Sequence, residues 1–229
     1  MTVKAENPGG VDRSHSLSLG PKLAFAAMHF VVVLICLWLA FGGMGWPDPT
    51  RAQVLVLCAL LYFLRHLVTL FVLLQRKVAM SEVWRLVGFM AIFEIGFLYL
   101  GAGGLSGEAT PLRPVDWLGA ALVLAGSYLN TGSELQRQRW KRHPSSKGHC
   151  YTGGLFAYAT HINYFGDAVL FTGWAILAVS FLAFSIPLLM SVMFVFLHIP
   201  ALDAHLSKRY GAEFDGYAKR TAWFIPFLY

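Results

Sequence analysis

The sequence predicts an all-α integral membrane protein with about six transmembrane helices and a cytoplasmic amphipathic helix at its C-terminal end. Three observations carry this reading. The chain is 57% hydrophobic and only 13% charged over 229 residues, which is too apolar for a soluble core of that size. Its apolar residues gather into six stretches, near 22–44, 52–74, 83–101, 116–131, 164–180 and 182–200, and about 20 such residues cross a bilayer as a helix. The basic residues then fall on one side. With the N-terminus in the cytoplasm, fifteen of the 18 Lys and Arg lie inside, Arg51 and Arg113 lie outside, and Arg65 lies within a span, as the positive-inside rule expects.

Residues 1–21 are polar and carry Gly9, Gly10 and Gly20, so they read as a disordered cytoplasmic lead-in. The first apolar run is too long for the core of a signal peptide and is kept as a span. Residues 22–116 hold three spans with short connections, a scaffold able to enclose a lipid-side cavity. The fourth span is short. The fifth and sixth are separated by almost nothing polar and read as a tight hairpin, with one long broken helix as the competing form. From Pro200 onward, Leu202, Leu206, Tyr210, Phe214 and Tyr217 recur at helical spacing, with Lys208, Arg209 and Asp215 between them. That pattern is an amphipathic helix lying on the membrane surface or against the spans. Trp223 to Phe227 then form an apolar close. No internal repeat supports an inverted-repeat transporter. The net charge of +6 follows from cationic loops beside an anionic leaflet and does not indicate nucleic acid.

The residues able to carry chemistry concentrate in 117–229. Asn130 with Glu134, and Asn163 with Asp167, are spaced i and i+4, which puts each pair on one helical face. Between them runs the densest positive segment of the chain, with Arg137, Arg139, Lys141, Arg142, His143, Lys147 and His149. Amides and carboxylates bind ribose hydroxyls and amide groups, and Arg and Lys neutralise phosphates, so the segment suits an anionic nucleotide. The alternative is that these residues cap helices at the interface. Gly153-Gly154 alone signals a turn. Deeper in the spans lie Arg65, His66 and Glu94, and a charge there costs roughly 2.5–3.5 kcal/mol on insertion scales. Either Arg65 and Glu94 form an ion pair, or Glu94 or a nearby tyrosine (Tyr62 or Tyr99) donates a proton to a buried substrate. His198, Asp203 and His205 lack a familiar ligand spacing, and Cys36, Cys58 and Cys150 show no metal or disulfide pattern, so no metal is expected. No Rossmann or P-loop glycine motif is present.

Residues 117–229 resemble the C-terminal domain of steroid 5-alpha-reductases and related membrane C=C reductases. The matching features are Asn130-x3-Glu134, Gly153-Gly154-Leu155-Phe156-x-Tyr158, Asn163-Tyr164-x-Gly166-Asp167 and the tail Tyr210…Tyr217…Ile225-Pro226-Phe227. The resemblance implies a multi-helix membrane fold whose C-terminal half holds NADPH from the cytoplasmic side, through Asn130, Glu134, Lys141, Tyr158, Asn163, Asp167 and Tyr210. Hydride would pass to a C=C bond of a lipophilic, steroid-like or isoprenoid-like substrate, with an acid from the N-terminal half supplying the proton; that half matches no family motif, so Glu94, or the nearby Tyr99, is named as the acid from its burial within the spans alone. This chain has Asp167 where the family has Glu and Glu134 where it has Asp. Gln138 and Lys141 stand at family arginine positions. A sister branch, the isoprenylcysteine carboxyl methyltransferases, uses S-adenosylmethionine and carries His-Pro before Tyr-x-Gly and a Glu-Glu pair in the tail. Here His161-Ile162 and Leu202-Asp203 stand at those places, which favours the reductase branch; a third reading, a non-enzymatic membrane protein such as a transporter or assembly factor, is favoured by the unmatched N-terminal half and the diverged tail. The membrane implied is a bacterial cytoplasmic membrane or the endoplasmic reticulum, with both termini cytoplasmic.

Overall fold

Apolar length sets the spans, and capping residues set where their helices begin. The computed structural model describes residues 18–228, and among them every regular element is helical. The expected lead-in therefore lies outside the described residues up to position 17, while 19–21 already form the first turn of α1 (Leu19–Phe41). Helix α2 (Pro49–Val68) opens on Asp48, whose side chain accepts a hydrogen bond from Arg51 N at 2.9 Å, with Pro at the first position, a strong N-terminal signal. It runs on through a π-helical turn, Thr69–Leu73. Then follow α3 (Met80–Gly101), α4 (Pro114–Ser127), a second π turn at Tyr128–Gly132 and α5 (Ser133–Lys141). From α4 to α5 the backbone stays helical, so the wall of one end is the direct extension of a span.

Helix α6 (Ile162–Leu177) turns at Ala178–Ser180, where Val179 takes a left-handed φ of 50°. The expected tight hairpin is thus present. Beyond it, Phe181–Phe184, α7 (Ser185–Met193), the π turn Phe194–His198 and α8 (Ile199–Tyr210) form one helical stretch. The sixth span and the expected surface helix are therefore continuous until Gly211, whose φ of 55° breaks the rod before α9 (Ala212–Arg220). Among the described residues, four stretches are long and apolar enough to cross a membrane: Leu19–Phe41, Pro49–Leu73, Met80–Gly101 and Phe181–Tyr210. Helices α4 and α6 are shorter.

Two kinds of contact hold the bundle together. The first is close backbone approach between α4 and α6 along a glycine seam. A Cβ on Gly166 would stand 2.5 Å from Asn130 N, one on Gly173 2.5 Å from Gly119 O, and one on Gly119 2.9 Å from Gly173 O. Small residues on facing membrane helices permit this approach. The second is aromatic packing that joins the three N-terminal helices to α6. Phe93 meets Phe171 at 4.9 Å and Trp174 at 5.7 Å, and Tyr62 meets Phe171 at 5.6 Å.

The two ends of the bundle differ sharply. At one, Arg51 is fully buried and bonded to Asp116 at 2.9 Å and 3.1 Å, to Leu177 O at 2.9 Å and to Thr110 O at 2.8 Å. Arg51 is thus a clamp on α2, α4 and α6 and not a solvated loop charge. The opposite end gathers the end of α2, the start of α3, α5, α8 and α9, and most of the basic residues.

Candidate functional site

At the basic end the glycine seam brings α4 and α6 close enough for their polar residues to meet. Asn130, inside the π turn, donates from Nδ2 to Asn163 O at 2.9 Å, and Asn163 Nδ2 donates to Glu134 Oε1 at 3.1 Å. Glu134 is ion-paired to Arg137. Three residues singled out from spacing alone therefore form one cluster. Asn130 thus meets α6 from within a π turn, and such turns recur at functional sites.

Beside this cluster opens a cleft of about 270 Å³, lined among others by Arg76, Arg137, Lys141, His205, Arg209 and Tyr210. A smaller hollow lined by Glu134, Gln138, Arg137 and Lys141 joins the cleft to the polar cluster. Among the described residues, no carboxylate lines the main cleft. Arg76 is held by Glu82 and Arg137 by Glu134, whereas Lys141 and Arg209 make no ion pair among the described residues. Burial first, and then the neighbouring Arg137, hold the Lys141 ammonium below the usual lysine range. A bound anion reverses that penalty. The Cys150 thiol at the rim is pushed up by burial and then by Glu213, so it stands there as a thiol and not as a nucleophilic thiolate.

Tyr151, Phe156 and Thr160 also line the cleft, and the Gly153-Gly154-Leu155-Phe156 segment sets the position of Phe156. Gly154 has a φ of 57°, and Gln136 Oε1 accepts from Leu155 N at 2.9 Å. Tyr217 on α9 donates to Phe156 O at 2.5 Å. The chain end is latched beneath: Thr160 N donates to Ala222 O at 2.8 Å, His161 N to Trp223 O at 3.2 Å, and Asp203 bridges His161 Nε2 at 2.8 Å and Trp223 Nε1 at 2.8 Å.

A second cavity of about 240 Å³ lies among α1, α2 and α3 and shares Arg76 with the cleft. Tyr62, Arg65 and His66 face it. Behind His66 runs a buried polar chain in which His29 Nδ1 shares a hydrogen bond with His66 Nδ1 at 2.7 Å and His29 Nε2 with Glu94 Oε1 at 2.6 Å. The expected Arg65–Glu94 pair is not formed. Arg65 Nη2 instead bonds Asp167 Oδ1 at 2.7 Å, because α2 packs against α6 at this level while Glu94 faces α1. His29 is central to the chain, so His29→Leu strands both neighbours and is expected to cost several kcal/mol, about 1–3 kcal/mol for each buried polar group left unpaired. Glu94→Gln, which keeps an acceptor for His29, is expected to cost far less. Thermal unfolding in detergent compares the two.

Other expected site residues lie elsewhere. Tyr99 is not brought to Glu94. It sits five residues further along α3, which is about 7.5 Å of rise and a different face, with its ring against Trp46 at 5.8 Å and 43% exposed. Tyr158 is 50% exposed and packs on Phe227, outside the cleft lining. Tyr210 and Lys141 do line the cleft. Reading the sequence missed His29, Arg76 and Arg209, although a histidine in an apolar run is itself a signal.

Residues 73–221 match the model of a family described as "Protein of unknown function (DUF1295)". A protein of Ustilaginoidea virens named "Probable O-methyltransferase ustE" is 31% identical over 110 residues, a stretch covering 47% of this chain and 38% of that protein. The chain thus aligns with under two-fifths of that relative's length.

Proposed function

The chain belongs to that family, a membrane family of steroid 5-alpha-reductase-like and isoprenylcysteine-methyltransferase-like type, and on that premise we propose that it is an integral-membrane reductase using NADPH to saturate a C=C bond of a lipophilic substrate. The observation that carries this is the charge of the cleft. Arg76, Arg137, Lys141, His205 and Arg209 line it; Glu82 and Glu134 hold Arg76 and Arg137 from outside the lining, while Lys141 and Arg209 make no ion pair among the described residues. A polyanionic nucleotide suits such a lining, whereas S-adenosylmethionine, whose sulfonium and ammonium outweigh its one carboxylate, does not.

The residues present fit the cofactor. Lys141, Arg209 and Arg76 would hold its phosphates, with Tyr210 at the cleft wall, and Asn130, Glu134 and Asn163 would take its amide and hydroxyl groups. NADPH bound there supplies the hydride. The proton for the other end of the double bond comes from His66, the ionisable group of the buried chain that faces the second cavity. His29 hands His66 the proton of Glu94 along hydrogen bonds of 2.7 Å and 2.6 Å, so Glu94 acts at a distance.

A second reading, an S-adenosylmethionine-dependent methyltransferase, is favoured by the name of the relative and by the His161–Asp203 contact, which pairs the positions where the methyltransferase branch has His and an acid. Titration of the purified full chain in detergent separates the two. NADPH is expected to bind, and Asn163→Ala or Lys141→Gln to weaken it at least about tenfold, or 1.4 kcal/mol. Tight S-adenosylhomocysteine binding with none of NADPH would replace the first reading by the second.

A further inference from the structure

We propose that the end of the bundle opposite the cleft holds a lipid site, built for a phospholipid headgroup with one phosphate and one primary ammonium, as in phosphatidylethanolamine. The site is independent of the reaction at the other end and of its cofactor. Two hollows meet there at the turn between α6 and the last span. One, of about 250 Å³, is lined among others by Gly103, Ser106, Glu108 and Thr110. The other, of about 310 Å³, is lined by Arg113, Val115, Ile176, Phe181 and Phe184. Val179 and Ser180 line both, and Val179 holds its left-handed φ of 50° there. A β-branched residue rarely adopts that conformation, and such outliers gather at binding sites.

The charges at this end select the ligand. Asp48, Arg51, Glu108, Arg113 and Asp116 are the charged residues of the segments that meet here, 42–51, 101–116 and 178–184. Three of them are occupied by the buried clamp. Arg51 donates to both oxygens of Asp116, at 2.9 Å and 3.1 Å, and Asp48 accepts from Arg51 N and Thr110 N. Glu108 and Arg113 are exposed and form no ion pair among the described residues. A carboxylate on one hollow and a guanidinium on the next suit a zwitterion. Arginine takes a phosphate in its two-pronged geometry. Among the described residues, no aromatic ring lines the Glu108 hollow, whereas quaternary ammonium groups are held in aromatic cages. A primary ammonium instead donates its hydrogens to Glu108 and to the hydroxyls of Ser106 and Thr110.

The apolar part of the second hollow separates a lipid from a soluble phosphoester. Val115, Ile176, Phe181 and Phe184 offer an acyl chain a wall and a soluble ester nothing. Phe181 is 96% exposed, and Trp117 in the first turn of α4 is 76% exposed. Aromatic residues of this kind mark the bilayer surface, which puts Arg113 at headgroup level. The polar hollow, the arginine and the apolar groove thus follow the order ammonium, phosphate, acyl chain.

The test is native mass spectrometry of the full chain in detergent, titrated with dioleoyl phosphatidylethanolamine, phosphatidylcholine and phosphatidylglycerol. Wild type is expected to bind the first at least about tenfold tighter than either of the others. Phosphatidylcholine lacks the N–H donors, and phosphatidylglycerol lacks the cation. Arg113→Gln is expected to weaken phosphatidylethanolamine by about tenfold. Glu108→Gln is expected to bring phosphatidylethanolamine and phosphatidylcholine within about twofold of each other. Both side chains are exposed, so neither variant is expected to move the unfolding midpoint. Equal binding of the three lipids by wild type overturns the proposal without recourse to any variant. Undiminished phosphatidylethanolamine binding in Arg113→Gln overturns the phosphate assignment, and a preference that Glu108→Gln leaves intact overturns that of the ammonium.

Discussion

Gly166→Leu is expected to destroy the site without touching a single polar residue. Its Cβ would stand 2.5 Å from Asn130 N and 2.8 Å from Gly126 O. Both are backbone atoms of the α4 rod, so no flexible side chain can yield. Helices α4 and α6 must then part by ångströms. The hydrogen bonds from Asn130 to Asn163 and from Asn163 to Glu134 are 2.9 Å and 3.1 Å, and neither survives such a displacement. The cost is expected at or above the ~3 kcal/mol upper end of ordinary overpacking. Thermal unfolding and NADPH titration should fall together. Gly216→Leu is the control, since a Cβ there meets only the Arg220 guanidinium at 3.7 Å. A Gly166→Leu protein with wild-type stability and nucleotide affinity would show that the seam does not position the site.

Arg51→Met is expected to be the most damaging change at the opposite end. It leaves Asp116 buried beside unpaired carbonyls of Thr110 and Leu177. Removing one partner of a buried ion pair costs about 3–5 kcal/mol. Adding Asp116→Asn removes the stranded charge and is expected to return part of that loss. The measurement is the unfolding midpoint of the single and double variants. Equal midpoints would mean that Arg51 clamps the bundle through the carbonyls and not through Asp116.

Much of the fold is legible in the sequence because hydropathy measures length, and membrane length is fixed. The expected spans begin at 22, 52 and 83, whereas the helices begin at Leu19, Pro49 and Met80. The offset arises because helices start at caps such as Asp48-Pro49, ahead of the apolar residues that hydropathy detects. The Asn130–Glu134–Asn163 cluster is legible for a different reason. Each pair shares a helical face, and the basic segment between them points to one ligand. The partner of Arg65 is not legible in the same way. Glu94 and Asp167 are both acids within apolar stretches, and the choice between them depends on which helix packs on α2. Periodicity carries no information about that packing. The three π turns escape for a related reason, since no residue type requires them.

The unbroken helix from Pro114 to Lys141, and the one from Phe181 to Tyr210, have a consequence for how this protein can be divided. Among the described residues, the cleft is built on no soluble domain of its own. Its walls are nine- and 12-residue helix ends, shorter than the ~12–15 residues at which isolated helices become even marginal in water. Each exists only as the overhang of a segment anchored in the bundle. A bilayer that is too thick or too thin, which tilts spans, therefore moves the two walls of the cleft directly. Lipid thickness becomes a setting of the cleft as well as of the span.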